Sequence, residues 1–258
     1  MSHDIRRGGH GAPWWDRLYE TDAREYIDQP EHAERAARVL RALDRFQRIT
    51  LGYRRQSAMV LAATAGAPEP RILELGAGHG RLAARILDRC PAALVTVSDV
   101  EPSAVAAFRA GPLAGHPRVT SRVIDATAID AASGAWDVAV FAMSLHHLDP
   151  AQVRRLLCEG TRVARRLLII DAWRHPAFLA VAPLFLVLGG RDNLHDGVIS
   201  LRKAYSASAL HDLAADCGAA VALDTRFSPP GYLVASAHRR GTARDTTPVG
   251  QGRSLTLT

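Results

Sequence analysis

Lysine is nearly missing from this 258-residue chain: Lys203 is the only one among 32 basic residues. That scarcity excludes the triphosphate loop, which needs Lys-Ser or Lys-Thr after its glycines. It also removes the Tyr-x-x-x-Lys dyad of one class of nicotinamide oxidoreductase. Cysteine is scarce too. Cys90, Cys158 and Cys217 are scattered and odd in number, with no C-x-x-C pair. This argues against a disulfide framework and a zinc site, suits a reducing compartment, and leads us to expect a cytoplasmic protein without a metal. The opening stretch has no apolar core, so no signal peptide is expected. The most apolar run, His175–Gly190, is too short for a membrane span, carries Pro183 and ends in Gly-Gly. We expect a buried or interfacial helix there and no span. No internal repeat is visible.

The charge balance is +6 with a pI near 9.8. A basic surface attracts phosphates, but the arginines are spread along the chain. They pair densely only at places such as Arg54-Arg55, Arg165-Arg166 and Arg239-Arg240. That spread points to composition, so no nucleic-acid partner is expected. A hydrophobic content of 48% is ample for a core.

Residues 1–29 are polar and broken by Gly and Pro, with Trp14, Trp15, Tyr19 and Tyr26 among them. Irregular structure or a short helix is expected. From Glu31, Ala36, Leu40, Leu43, Phe46 and Ile49 fall at three- and four-residue steps, which predicts a helix. A second helical piece follows Gly52 and runs to Ala65, and "AGAPEP" is a loop. Alternation then predicts strands at 71–75, 94–98, 119–124, 136–142, 166–170, 220–227 and 231–238. Helices are predicted at 80–89, 102–109 and 150–161, with a turn near 127–132. Asp149-Pro150 supplies a cap and a first-turn proline. Strands alternating with helices imply a parallel sheet covered on both faces, and the Pro-Pro-Gly turn near 230 implies a closing hairpin. We divide the chain into an N-terminal helical cap (1–66), a main domain (67–240) with an insertion at 172–205, and a tail (241–258) expected to be disordered.

The stretch "RILELGAGHG" ends a strand in three glycines, Gly76, Gly78 and Gly80. Bare backbone there lets a ligand come close. The spacing is G-x-G-x-G, not the G-x-G-x-x-G of dinucleotide folds. Glu74 would repel a pyrophosphate but suits an ammonium group. Asp99 ends the second strand, 99 − 76 = 23 residues past the first glycine, where an acid can accept both ribose hydroxyls. Asp125 ends the third strand, where it can accept from an adenine amino group while Ala126 offers its amide. Each acid alone could merely cap a helix; together with the glycines they point to a nucleoside.

"ILELGAGHG", "VSDVEPSAV", "VIDAT", "WDVAVFAMSLHHLDP" and "RLLIIDAW" together resemble the class I S-adenosylmethionine-dependent methyltransferases, over about residues 70–240. The resemblance implies an α/β, Rossmann-like seven-stranded sheet of order 3-2-1-4-5-7-6, with strand 7 antiparallel. It places S-adenosyl-L-methionine against Glu74, Gly76, Ala77, Gly78, Gly80, Asp99, Val100, Asp125, Ala126 and Ala142. "LHHLDP" and "HDGVISLRKAYSASAL" look further like bacterial small-molecule enzymes of secondary metabolism.

The family's reacting methyl sits above the ends of strands four and five, where His146, His147 and Asp171 fall. We expect His147 to accept a hydroxyl proton, with Asp171 or His146 in support. His195 is a further candidate. The insertion 172–205, with Phe178, Leu179 and Leu184 to Leu188, is expected to roof a pocket for an apolar or aromatic acceptor. Trp14, Trp15 and Tyr19 are expected to close its other side. Methyl transfer to a hydroxyl of a small molecule, by a monomer or homodimer, is the reading preferred. Its rivals are a nucleic-acid or protein methyltransferase, and a non-methylating cyclase-like or partner-binding use of the fold.

Overall fold

A computed structural model describes residues 5–64 and 66–241. The disorder expected of the tail falls on residues 242–258, outside those described. The N-terminal part carries helices α1 (Trp14–Tyr19), α2 (Ala33–Ile49) and α3 (Gly52–Ala63), with short 3-10 turns at Tyr26–Asp28 and Pro30–His32. Then follow β1 (Arg71–Leu75), α4 (Arg81–Arg89), β2 (Leu94–Asp99), α5 (Pro102–Arg109), β3 (Val119–Val123), β4 (Trp136–Ala142), α6 (Pro150–Val163) and β5 (Ala164–Ala172). The chain ends with α7 (Ala182–Lys203), α8 (Ala207–Ala215), β6 (Val221–Ser228) and β7 (Tyr232–Arg239).

Among the described residues the strands form one seven-stranded sheet, β3-β2-β1-β4-β5-β7-β6. The first five are parallel, and β7 runs antiparallel to both β5 and β6. Central strands read as continuous apolar runs because both their faces are covered. Alternate residues split cleanly between the two faces. Leu73, Leu75, Phe141, Leu167 and Ile169 meet α6 and α8 through Leu156, Leu157, Leu210 and Leu213. Ile72, Val138, Val140, Leu168 and Ile170 meet α3 and α4 through Val60, Leu82 and Ile86. Each such side chain is worth ~1.5–3 kcal/mol of burial. The start of α6 is fixed by a full capping box, Asp149 with Gln152, around Pro150.

Two elements differ from expectation. On α2 the buried face is Val39 and Ala42, whereas Leu40 and Ile49 stay exposed at 42% and 62%. Ala36, Leu43 and Phe46 are half-buried, and α7 packs on this helix where Gly189 has no side chain, bringing that backbone against Ala42. The second difference is α7 itself. Gly190 (φ 72°) kinks the apolar stretch but does not end it. The resulting Pro176–Lys203 segment, a 3-10 turn leading into α7, is 28 residues and, by length and composition, could cross a membrane. Phe185 is buried, yet Leu184, Leu186 and Val187 face outward. The second half is built into the protein. Asn193 donates to the Phe185 carbonyl, and Asp196 accepts from the Tyr26 and Ile27 amides.

The N-terminal segment is fastened at the end of β5 by Arg174. Its side chain is 2% exposed and forks onto both Asp16 carboxylate oxygens at 2.9 and 2.8 Å. It also donates to the carbonyls of Arg202 and Ala204 and lies over the Tyr19 ring. Removing one partner of a buried pair strands the other charge. Arg174→Ala should therefore lower stability by about 3–5 kcal/mol in urea denaturation. The double variant with Asp16→Ala should cost less than the two single changes added together.

Candidate active site

The carboxyl ends of β3, β2, β1 and β4 lie side by side, and they bring the sequence's glycines and acids into one row. Gly76, Gly78 and Gly80 all adopt left-handed backbone (φ 61°, 51° and 66°), each under a different constraint. A Cβ at Gly76 would press on the Phe141 ring at 3.1 Å. One at Gly80 would collide with Phe108. One at Gly78 would meet nothing within 4 Å, so this residue borders open space. The loop is tied to β2 twice. The Ala77 amide donates to the Ser98 carbonyl, and the Gly78 amide donates to Asp99 Oδ2, both at 2.9 Å. Asp99 Oδ1 accepts from the Glu101 amide. Asp125 is exposed and turns the chain by accepting from the Thr127 amide and hydroxyl. Ala126 is buried beside it, Val100 is exposed, and Ala142 is half-buried at the end of β4.

Glu74 lies behind the loop with 4% exposure. Burial, helped by the like charge of Asp99, pushes its carboxyl up to about 8, although the Ala83 amide opposes this. Its Oε2 has no hydrogen-bond partner. An orphaned buried carboxylate oxygen beside an open glycine fits a ligand that brings an ammonium group. Asp99 and Asp125, further along the row, fit its ribose and base.

A second group of charges lies over β4 and β5. After β4, Met143 takes a left-handed backbone (φ 55°) and the 3-10 turn Leu145–His147 presents two imidazoles. Asp171, fully buried at the end of β5, accepts from the His146 amide at 3.0 Å. Its Oδ1 lies 2.9 Å from His146 Nδ1. Burial alone would depress His146, but the charge and hydrogen bond of Asp171 overcome it and raise the ring's pKa. Burial likewise opposes ionisation of Asp171, and His146 outweighs it, holding the acid below its usual range.

His147 pairs instead with Asp28, Nδ1 to Oδ2 at 3.2 Å. Asp28 is held low despite its burial, first by this bond and then by Lys203, whose Nζ is 3.9 Å away. The two rings lie 4.3 Å apart. Beside them sits Glu25, 1% exposed, with Oε2 accepting from the Ser200 hydroxyl and Oε1 unpartnered. His195 belongs to the supporting structure: it bonds Asp196 and stacks on Tyr26. Glu25, Asp28 and Lys203 carried no signal in the sequence reading. The two acids lie in an irregular segment without periodicity, and only the rarity of lysine marked Lys203.

The family described as "Methyltransferase domain" matches residues 72–166. No curated protein sequence matches the chain. Among solved structures, a Nostoc punctiforme protein assigned to the O-methyltransferases is 16% identical with TM-score 0.58, the match covering 87% of this chain and 66% of that one. A Pyrococcus horikoshii protein is 12% identical with TM-score 0.52, covering 72% of this chain and 90% of its own. An Aquifex aeolicus SAM-dependent methyltransferase is 18% identical with TM-score 0.51, covering 70% and 88%. At these identities the structures speak for the fold.

Two expectations follow from the glycine loop. Gly78→Val should abolish cofactor binding in calorimetry while leaving the circular dichroism spectrum unchanged, because the new side chain fills open space in a backbone it tolerates poorly. Glu74 provides a pH test. A folded pKa of about 8 lies above the ordinary 4.5, so the ligand-free protein loses stability as pH rises between those values. Glu74→Gln should raise the melting temperature at pH 8 and not at pH 4. It should also weaken cofactor binding about 10- to 100-fold.

Proposed function

We propose that this S-adenosylmethionine-dependent methyltransferase, residues 72–166 of which match the methyltransferase-domain family, methylates a hydroxyl oxygen of a small apolar or aromatic molecule in bacterial natural-product metabolism, in the cytoplasm. The observation that carries the choice of oxygen is the pair of imidazoles at the ends of β4 and β5, each backed by a carboxylate. An activated carbon or an already deprotonated phenol can react by proximity alone, whereas a neutral hydroxyl must shed a proton.

When bound, the cofactor supplies a methyl group on a sulfonium, already electrophilic and with its leaving group attached. The chain's own work is to hold, align and dry the reactants. Glu74 faces the ammonium group, Asp99 the ribose and Asp125 the adenine. Gly76, Ala77, Gly78 and Gly80 give the backbone its close approach, with Val100, Ala126 and Ala142 alongside. His146, His147 and Asp171 lower the cost of ionising the acceptor hydroxyl, and Asp171 fixes the orientation of the His146 ring through Nδ1.

An apolar acceptor is favoured by a third hydrophobic cluster at the end of β5. Ala172, Phe185, Leu201 and Ala204 are packed there with half-buried Phe46, Phe178, Leu179 and Val181. In this reading residues 172–205 cover the acceptor, and the N-terminal segment forms the facing wall.

The test is a panel of phenols, catechols and aliphatic alcohols with matched amines, read by product mass for the gain of one CH2. Methylated hydroxyl products are expected; exclusive amine methylation overturns the reading. On the best acceptor, His147→Ala should lower kcat by about 10²–10⁴-fold with cofactor affinity unchanged. A variant of nearly full activity would take the imidazole out of the chemistry.

A further inference from the structure

We propose that Glu25, His146 and His147 form a site for one divalent first-row metal ion, with Zn2+ the ion the ligand set suits best. One nitrogen of each ring and one carboxylate oxygen of Glu25 lie within 4.8 Å of one another, the only such group among the described residues. Two imidazoles and a carboxylate make a set of protein ligands used in catalytic zinc sites, and they leave a coordination position open. Hard cations such as Mg2+ prefer oxygen ligands throughout.

Three further observations point to an ion. Both rings are already oriented as metal-bound imidazoles are, with Nδ1 against a carboxylate: Asp171 for His146 at 2.9 Å and Asp28 for His147 at 3.2 Å. That leaves Nε2 of each ring as the nitrogen to coordinate. Glu25 has one oxygen occupied by the Ser200 hydroxyl and the other, Oε1, without a donor, although the residue is 1% exposed. A buried carboxylate oxygen lacking a partner is costly, and a cation removes the cost. The third observation is charge. Glu25, Asp28 and Asp171 bring three buried or half-buried carboxylates to two imidazoles, and Lys203 offsets one of them. A divalent ion offsets that surplus of negative charge.

The ion's role rests on the function proposed above; its binding does not. In that role a hydroxyl at the open position would ionise more readily and release its proton to water, as metal-bound water does. The two imidazoles then act as ligands, and the apparatus at the ends of β4 and β5 works through the ion they hold.

The experiment uses the full chain, stripped with a chelator and titrated with Co2+ by visible absorption and with Zn2+ by calorimetry. One ion per chain is expected, with affinity falling in Glu25→Gln and His147→Gln by more than the 10- to 100-fold that losing an outer partner costs. Asp28→Asn should fall within that roughly 10- to 100-fold range. Retained cofactor affinity certifies each variant as folded, and His147→Gln stands alone if Glu25→Gln does not fold. No uptake by the wild type overturns the site. So does an ion bound equally well by Glu25→Gln and His147→Gln, which would lie on other histidines. Binding without methylation of any hydroxyl compound leaves the site and removes the function. Full hydroxyl methylation by chelated enzyme that takes up no ion leaves the function and removes the site.

Discussion

The cluster of charges over the ends of β4 and β5 depends on one buried guanidinium. Arg174 lies three residues beyond Asp171 and holds Asp16, and through it the first helix, against the end of β5. The segment that follows α1 supplies Glu25 and Asp28. Neither belongs to the sheet, and both reach the histidines because the chain before them is fixed. Asp196 adds a second attachment at the Tyr26 and Ile27 amides. A buried ion pair adds little net stability compared with an apolar substitute, but it is directional. Here direction is what matters, since a carboxylate displaced by an ångström no longer meets a ring nitrogen.

The two halves of the site are held in different ways. The glycine-loop side is made from strand ends and backbone amides, with Asp99 bonded into the loop it borders. Its geometry follows from the sheet register and changes only if the sheet does. The histidine side draws on the turn after β4, the N-terminal segment and α7, elements joined by side-chain bonds over long sequence distances. Such an arrangement lets the histidine side vary while the sheet and the glycine loop stay put.

That difference also decides what could be read from the sequence. Strands and the row of glycines and acids were legible because each is a local pattern: a five-residue apolar run, a turn, an acid at a strand end; the order of the strands came only with the family resemblance that those motifs carry. The pairing of Asp171 with His146 was within reach, since both end adjacent strands. Glu25 and Asp28 were not, because nothing in an irregular polar segment says which of its acids will be buried. On α2, Leu40 and Ile49 were placed on the buried face for a related reason, although Leu43 and Phe46 do turn inward. Its stripe was chosen by spacing, while the burial of Ala42 depends on Gly189, some 150 residues away, whose missing side chain admits it. His195 looked chemical in sequence, but it stacks on Tyr26 and bonds its neighbour Asp196.

The burial of the only lysine has a consequence for handling the molecule. Lys203 is 7% exposed and sits next to Asp28, beneath the N-terminal segment. Reagents that acylate primary amines, bifunctional cross-linkers and amine-coupled sensor surfaces thus find almost no side-chain target on the native fold. Acylation of Lys203 would report the lifting of that segment, making the residue a built-in footprinting probe for its detachment.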